Sequence, residues 1–136
     1  MNEHQDTPQK THVIFKRFDQ DLPAPAQQTA GSVGIDLYSR EEISIPAGEV
    51  RLAPLNIALQ LPKGYWALLA ARSSLHKRGL MLANGIGVGD WDYRGDGDEY
   101  KAALYNFFDE SVILPRGERI VQLIVMPQVA VELSER

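Results

Sequence analysis

Four stretches carry side chains capable of chemistry. "ARSSL" sets Arg72 before Ser73 and Ser74. If the serines open a helix, its unpaired N–H groups, the Arg72 fork and two hydroxyls converge as an anion site suited to phosphate. "ANGIGVGDWDYRGD" alternates glycine at 85, 87 and 89, then gathers Asp90, Trp91, Asp92, Tyr93, Arg94 and Asp96. Residues without side chains let a backbone lie close to a ligand, with acids and rings within reach. "AGSVGIDLYS" places the acid Asp36 between Ile35 and Leu37, and "RGERIVQLIV" places Gln122 among apolar neighbours. Each stretch also has a plain structural reading. These are a capped helix, a hairpin with a polar tip, a strand with its acid facing solvent by period-2 alternation, and a core-edge strand with one outward polar group.

The elements that must position these residues are short. Prolines and glycines recur every eight to twelve residues in "ISIPAGEVRLAPLNIALQLPKGYWALLAA", with β-branched and aromatic residues between them. That spacing predicts many short strands in a sandwich or barrel. Further strands are expected at Thr11–Phe18 and in "GIDLYS", "YKAALYNF", "SVILPRG" and "RIVQLIVMP". "DYRGDGDE" is turn chemistry and predicts a β-hairpin. One segment, "SSLHKRGL", reads as a helix of one or two turns, with Ser73 or Ser74 as N-cap, Gly79 as its stop, and Lys77 and Arg78 in its last turn. The fold class is all-β with one short helix.

The totals set the bounds. The 136 residues fit one domain over 11–136, with 1–10 ("MNEHQDTPQK") as a disordered polar leader. The formal charge is −4, from 14 basic and 18 acidic residues, which argues against a duplex nucleic-acid surface. There is no cysteine, so disulfides and thiolate metal sites are excluded. The three histidines lack metal spacing, and His76 reads as a surface residue. No apolar run approaches the roughly 18 residues of a membrane helix. A cytoplasmic protein without a membrane partner is expected.

Taken in order, an acid on a strand, an Arg-Ser-Ser helix start, Asp-x-Asp-Tyr-Arg-Gly and Gly-x-Arg-Ile-x-Gln-Leu resemble the trimeric deoxyuridine triphosphatase (dUTPase) family. The resemblance runs from about Val13 to Pro127 and matches four of that family's five motifs. It implies a jelly-roll-type β-barrel, a homotrimer with sites built between subunits, and Mg²⁺-dependent hydrolysis of dUTP to dUMP and pyrophosphate. That reaction keeps uracil out of DNA and supplies dUMP for thymidylate synthesis.

Residue by residue, the resemblance implies that Asp90 orients and activates the attacking water. Tyr93 lies against the deoxyribose and excludes a 2′-hydroxyl. Arg72, Ser73 and Ser74 hold phosphates, and Gln122 sits near them. Asp36 faces the metal through water, the metal itself being held mainly by the triphosphate. Asn84 and the backbone at Val88, Gly89 and Lys101 read uracil. Arg94 and Asp92 are expected to brace the turn.

The family's fifth motif, a glycine-rich lid with an Arg and a Phe, has no match within these residues, which finish at "VELSER". Gly89 stands where the family usually has a β-branched residue, Trp91 where it has a small one, and "GDGDEY" lengthens the connection. Trp91 is expected to narrow the pocket or to pack at a subunit contact. Two other readings stay open: a non-catalytic trimer that binds nucleotide or protein through the same fold, and the related dCTP deaminase. The deaminase resemblance calls for a Glu where this chain has Ala103.

Overall fold

The computed structural model describes residues 10–136, so the expected leader falls outside the described residues except for Lys10. Among the described residues, eleven strands and one turn of 3-10 helix make up the regular structure. The strands are β1 (Ile14–Arg17), β2 (Ile35–Tyr38), β3 (Ile43–Ile45), β4 (Val50–Pro54), β5 (Ile57–Gln60), β6 (Tyr65–Ala71), β7 (Leu80–Leu82), β8 (Gly87–Gly89), β9 (Lys101–Asn106), β10 (Val112–Leu114) and β11 (Arg119–Pro127). They form a four-stranded sheet β2-β11-β6-β8, a three-stranded sheet β4-β9-β7, and the pairs β1-β5 and β10-β3. The all-β architecture is the one expected, although the four sheets do not join into one closed barrel.

The sheets enclose a single core. Leu37, Ile45, Leu55, Ile57, Leu61, Leu80, Leu104, Leu114, Ile120 and Val121 are almost wholly buried. β9 displays the alternation that builds it: Ala102, Leu104 and Asn106 point inward, with Lys101, Ala103 and Tyr105 more exposed. The buried Asn106 is tolerated because its amide is satisfied. It donates to Ile45 O at 2.9 Å and Glu110 O at 2.7 Å, and accepts from Phe108 N at 2.8 Å.

Three local features differ from expectation and matter for the site. The "SSLHKRGL" helix is only a 3-10 turn over Leu75–Arg78, ending at Gly79 with φ 81°. Ser74 holds its N-cap position but makes no side-chain capping bond. Four residues of 3-10 helix give little macrodipole, so anion binding at this place would have to come from side chains and local N–H groups.

The second difference is that β8 and β9 are not a hairpin. β8 pairs with β6 and β9 pairs with β4 and β7, so the glycine-rich turn between them crosses from one sheet to another. The third is a register shift in β11 between Arg119 and Val121. Ile120 and Val121 are consequently both fully buried, and the strand resumes its alternation one residue out of phase.

Candidate active site

The crossing between β8 and β9 opens a cavity of about 290 Å³ lined by Leu69, Asn84, Gly87, Val88, Gly89, Asp90, Tyr93, Glu99, Tyr100 and Lys101. Six of the expected site residues, Asn84, Val88, Gly89, Asp90, Tyr93 and Lys101, thus meet in one place. β8 and the first residue of β9, which belong to different sheets, both line this cavity. β8 is the edge strand of its sheet, so its free side can offer N–H and C=O groups to a flat ligand, whereas β9 is paired on both sides, with β4 and β7.

The cavity walls are held in several ways. The Tyr93 hydroxyl donates to Glu99 O at 2.8 Å, and its ring meets Tyr100 edge-on at 5.5 Å between centroids. Tyr93 is still 40% exposed. Arg94 does brace the turn: it donates to Leu61 O at 2.9 Å and lies 4.6 Å over the Trp91 ring. Asp92 makes no such bond among the described residues; with Trp66, Asp90, Trp91 and Gln128 it lines an adjoining cleft that shares Asp90 with the cavity.

Glu99 and Tyr100 were not among the expected site residues, and both are buried. Glu99 grips Arg40 through two bonds, of 2.7 and 2.9 Å, and accepts from Asn56 N at 2.9 Å. Asn56 reaches this place in a left-handed conformation, φ 71°, which asparagine tolerates better than most residues. The longer "GDGDEY" connection closes on itself, with Asp98 N donating to Gly95 O and Gly95 N donating to the Asp98 carboxylate. It thereby delivers Glu99 to Arg40.

Removing one partner of this clamp is expected to be costly. Arg40→Ala leaves the Glu99 carboxylate buried with only a backbone donor. Breaking a fully buried pair costs about 3–5 kcal/mol. Arg40 is partly exposed, so water can replace some of what is lost, and about 1–3 kcal/mol is expected. Thermal unfolding checks this: Tm should fall by several degrees, and an unchanged Tm would mean the clamp contributes nothing to folding.

The other expected residues cluster elsewhere. Asp36 is 8% exposed, not turned to solvent as alternation suggested. It faces two guanidinium groups, Arg72 Nε at 3.4 Å and Arg119 Nη1 at 3.3 Å. Arg72 also donates to Arg119 O at 3.3 Å, and Gln122 donates to Ala71 O at 3.1 Å. Gln122 lies across from Asp36 on β2 and from Ala70 on β6. Gly34 makes room for it, since a Cβ there would come within 2.0 Å of the Gln122 side-chain oxygen. Ser73 and Ser74 follow directly on Arg72. Two cations around one carboxylate, with two hydroxyls beside them, leave net positive charge for an anion.

Arg119 is the residue that sequence reasoning missed here. In a regular strand, positions 119 and 122 face opposite ways. The register shift returns both to the Asp36 face, because Arg119 pairs with Tyr38 and Gln122 with Asp36. None of Asp36, Arg72, Ser73, Ser74 and Gln122 lines the β8–β9 cavity. Within one chain the two halves stay separate.

A family model described as dUTPase matches residues 20–136. The deoxyuridine 5′-triphosphate nucleotidohydrolase of Dictyoglomus turgidum is 41% identical over 119 residues, 84% of this chain and 79% of that protein. Its counterpart from Hydrogenobaculum sp. is 36% identical over 126 residues, 90% and 85% of the two chains. The crystal structure of a dUTPase from Streptococcus mutans superposes with a TM-score of 0.79 at 32% identity, over 87% of this chain and 98% of that one. The dUTPase of Staphylococcus bacteriophage 80alpha shares the fold at TM-score 0.81 and 21% identity, covering 93% and 89%. By its sequence, its fold and the motifs its strands carry, the chain belongs to the dUTPase family.

Proposed function

We propose that this protein hydrolyses dUTP to dUMP and pyrophosphate in the presence of Mg²⁺, as a homotrimer with composite sites. The observation that carries the reading is the single cavity uniting Asn84, Val88, Gly89, Asp90, Tyr93 and Lys101. A pyrimidine against the free edge of β8 is read by backbone donors and acceptors that cannot rotate. Uracil presents N3–H as donor and O4 as acceptor, and cytosine inverts both. A cytosine held there would leave buried polar groups unpaired, at about 1–3 kcal/mol each. Asp90 at the rim takes the proton of the attacking water, and Tyr93 lies against the sugar. Arg72, Ser73, Ser74 and Gln122 hold the phosphates.

Among the described residues no three acidic or histidine side chains are grouped to hold a metal. The chemistry of the donors agrees with an ion carried mainly by the triphosphate, which is a common habit of Mg²⁺. Asp36, already paired with two arginines, suits contact through water better than direct ligation. The ion, when bound, neutralises phosphate charge. Positioning and charge neutralisation are what phosphoryl chemistry asks of a protein.

Assembly is supported by what a lone subunit leaves uncovered. Beyond β11, Val129, Val131 and Leu133 alternate with polar or small residues and are 78%, 78% and 93% exposed. A second cavity, about 620 Å³ and lined by Val13, Phe15, Val33, Ile35, Leu123 and Val125 among others, is mainly apolar. Such surface ordinarily meets another chain. A cytoplasmic location and independence of membranes go with this reading; no helix among the described residues is long and apolar enough to cross a membrane.

The test is pyrophosphate release from dUTP, dCTP, dTTP and UTP, with light scattering for the assembly. dUTP should be used far ahead of the others, by a trimer. Ammonia released from dCTP, equal turnover of all four, or a stable monomer would overturn the respective part. The deaminase reading is weakened by Ala103 and by Glu99, whose carboxylate is already engaged by Arg40 and Asn56.

Sugar discrimination gives a further expected result. Tyr93→Ala should lower kcat/KM for dUTP through lost packing of about 1–3 kcal/mol, or about 5- to 150-fold. UTP use should fall less, or rise, because the obstacle to a 2′-hydroxyl goes with the ring. An unchanged dUTP-to-UTP ratio would remove Tyr93 from this role.

A further inference from the structure

The Tyr93 ring is an obstacle to a 2′-hydroxyl only if it cannot swing aside. Exposed side chains hop between staggered rotamers on a picosecond to nanosecond timescale, so a rigid wall needs an anchor. Tyr93 N donates to Asp90 O at 3.1 Å, which fixes the main chain and leaves the ring free to turn. The ring meets Tyr100 edge-on, an apolar contact that tolerates sliding. Tyr100 itself fills the space that a side chain at 89 would need, since a Cβ there would lie 2.3 Å from its oxygen. The bond from the Tyr93 hydroxyl to Glu99 O, 2.8 Å long, pins the far end of the ring. Burial, with the charges of Asp98 and Glu99, raises this phenol above its ordinary value, so the donated proton stays in place. The acceptor is held in its turn. The Glu99 carboxylate takes two bonds from Arg40 and one from Asn56 N. Arg40 is tied down at both ends: its backbone N–H donates to Pro54 O at 2.8 Å, and its guanidinium lies 5.9 Å over the Phe18 ring. A line of contacts thus runs from Arg40, which does not line the cavity, through Glu99 to the Tyr93 ring, which does.

We propose that Arg40 is a positioning residue for sugar discrimination: by gripping the Glu99 carboxylate it fixes the Glu99 carbonyl that anchors the Tyr93 hydroxyl, and so holds the ring against the place of a 2′-hydroxyl. This rests on the reading of Tyr93 as the residue beside the sugar. Without Arg40 the carboxylate keeps one donor, Asn56 N, and is drawn towards water. The carbonyl of the same residue then loses its fixed place, and the ring can yield to a ribose. A ring that yields costs dUTP little and admits UTP. The effect is therefore a change in the ratio between two nucleotides, which general loosening of the fold does not produce.

The experiment compares wild type with Tyr93→Phe, Arg40→Ala, Arg40→Lys and the double variant of Arg40→Ala with Tyr93→Phe, all assayed well below their measured Tm. Two ratios are read on each: kcat/KM for dUTP over UTP, and Kd for UMP over dUMP by calorimetry. Tyr93→Phe keeps the ring and removes the anchor, and both ratios should fall about two- to tenfold, as for one neutral hydrogen bond. Arg40→Ala should lower them by a factor no larger than that. Arg40→Lys, which retains the charge and one bond to Glu99, should lie between Arg40→Ala and wild type. The double variant should discriminate no worse than Tyr93→Phe alone, because both changes break the same line of contacts. Losses that multiply in the double variant would overturn the proposal. So would Arg40→Ala weakening dUTP and UTP alike, which marks a clamp that serves folding alone. Should Arg40→Ala not fold, Arg40→Lys and its combination with Tyr93→Phe decide in its place. Tyr93→Ala in the same assays separates this inference from the reading beneath it. Unchanged ratios there sink the sugar reading and the inference with it. Ratios changed by Tyr93→Ala and left alone by Tyr93→Phe and Arg40→Ala sink the inference only. If wild type binds dUMP without turning over dUTP, the catalytic reading fails and the Kd ratios still decide on Arg40.

Discussion

Asp90→Asn is expected to lower kcat for dUTP by about 10²–10⁴-fold, the usual contribution of a positioned general base. Binding of a non-hydrolysable dUTP analogue should stay within about tenfold, a change below about 1.4 kcal/mol. The argument rests on what surrounds this carboxylate. Asp90 follows directly on β8, is exposed at the cavity rim, and forms no salt bridge among the described residues. It is therefore free to accept a proton from a water held against the nucleotide. Asp36 is the contrasting acid: its two oxygens already face Arg72 and Arg119, which suits a structural charge better than a base. Asparagine preserves the shape at position 90. It also preserves the turn, which is held by Tyr93 N donating to the backbone Asp90 O at 3.1 Å. Fold and binding should therefore survive while proton transfer is lost. Near-full turnover by Asp90→Asn would exclude this residue as the base. Loss of turnover together with loss of analogue binding would mean that the carboxylate positions the nucleotide.

Much of this arrangement was legible in the residues. Short β-branched runs between prolines and glycines foretold the strands, and two of the alternating glycines, Gly87 and Gly89, line the cavity. The part that was not legible depends on events distant in sequence. Whether β8 and β9 pair with each other or with other strands is decided by β6 and β4, far from the turn that joins them. Turn chemistry alone suggested a hairpin. The shift in β11 is likewise invisible in "RGERIVQ", because a bulge leaves composition unchanged while reversing which residues share a face. It is why Arg119 joins Asp36 and Gln122. The burial of Asp36 follows from that pairing, since two guanidinium groups make a buried carboxylate tolerable.

Gly89 and the lengthened "GDGDEY" connection looked like separate departures from the family pattern. They are two sides of one adjustment. The added residues bring Glu99 to the Arg40 clamp and seat Tyr100, and the missing side chain at 89 leaves the ring its space. Trp91, half of the same puzzle, is accounted for by the guanidinium of Arg94 stacked on its ring.

Two inactive proteins should make an active one. Arg72→Ala is expected to lower kcat/KM for dUTP about a hundredfold or more, because each charge-assisted bond to phosphate contributes about 1.5–3 kcal/mol. Folding should survive, since Asp36 keeps Arg119 as partner. Asp90→Asn is inactive for a different reason. Within one chain Arg72, Ser73, Ser74, Asp36 and Gln122 lie apart from the cavity that holds Asp90 and Tyr93. A triphosphate in that cavity must then meet its cations on a neighbouring subunit of the proposed trimer. If the two variants are unfolded together in equal amounts and refolded, some sites will pair an intact Asp90 from one chain with an intact Arg72 from the next. With random assembly about a quarter of the sites are restored in this way, so activity should rise to about a quarter of the wild-type value. Either variant refolded alone should stay near its own low level. A mixture no more active than the average of its parents, with light scattering still reporting mixed trimers, would mean that Asp90 and Arg72 serve the same site from the same chain. The chain would then have to bend to bring them together, and the separation of the two clusters would be a property of the free subunit alone.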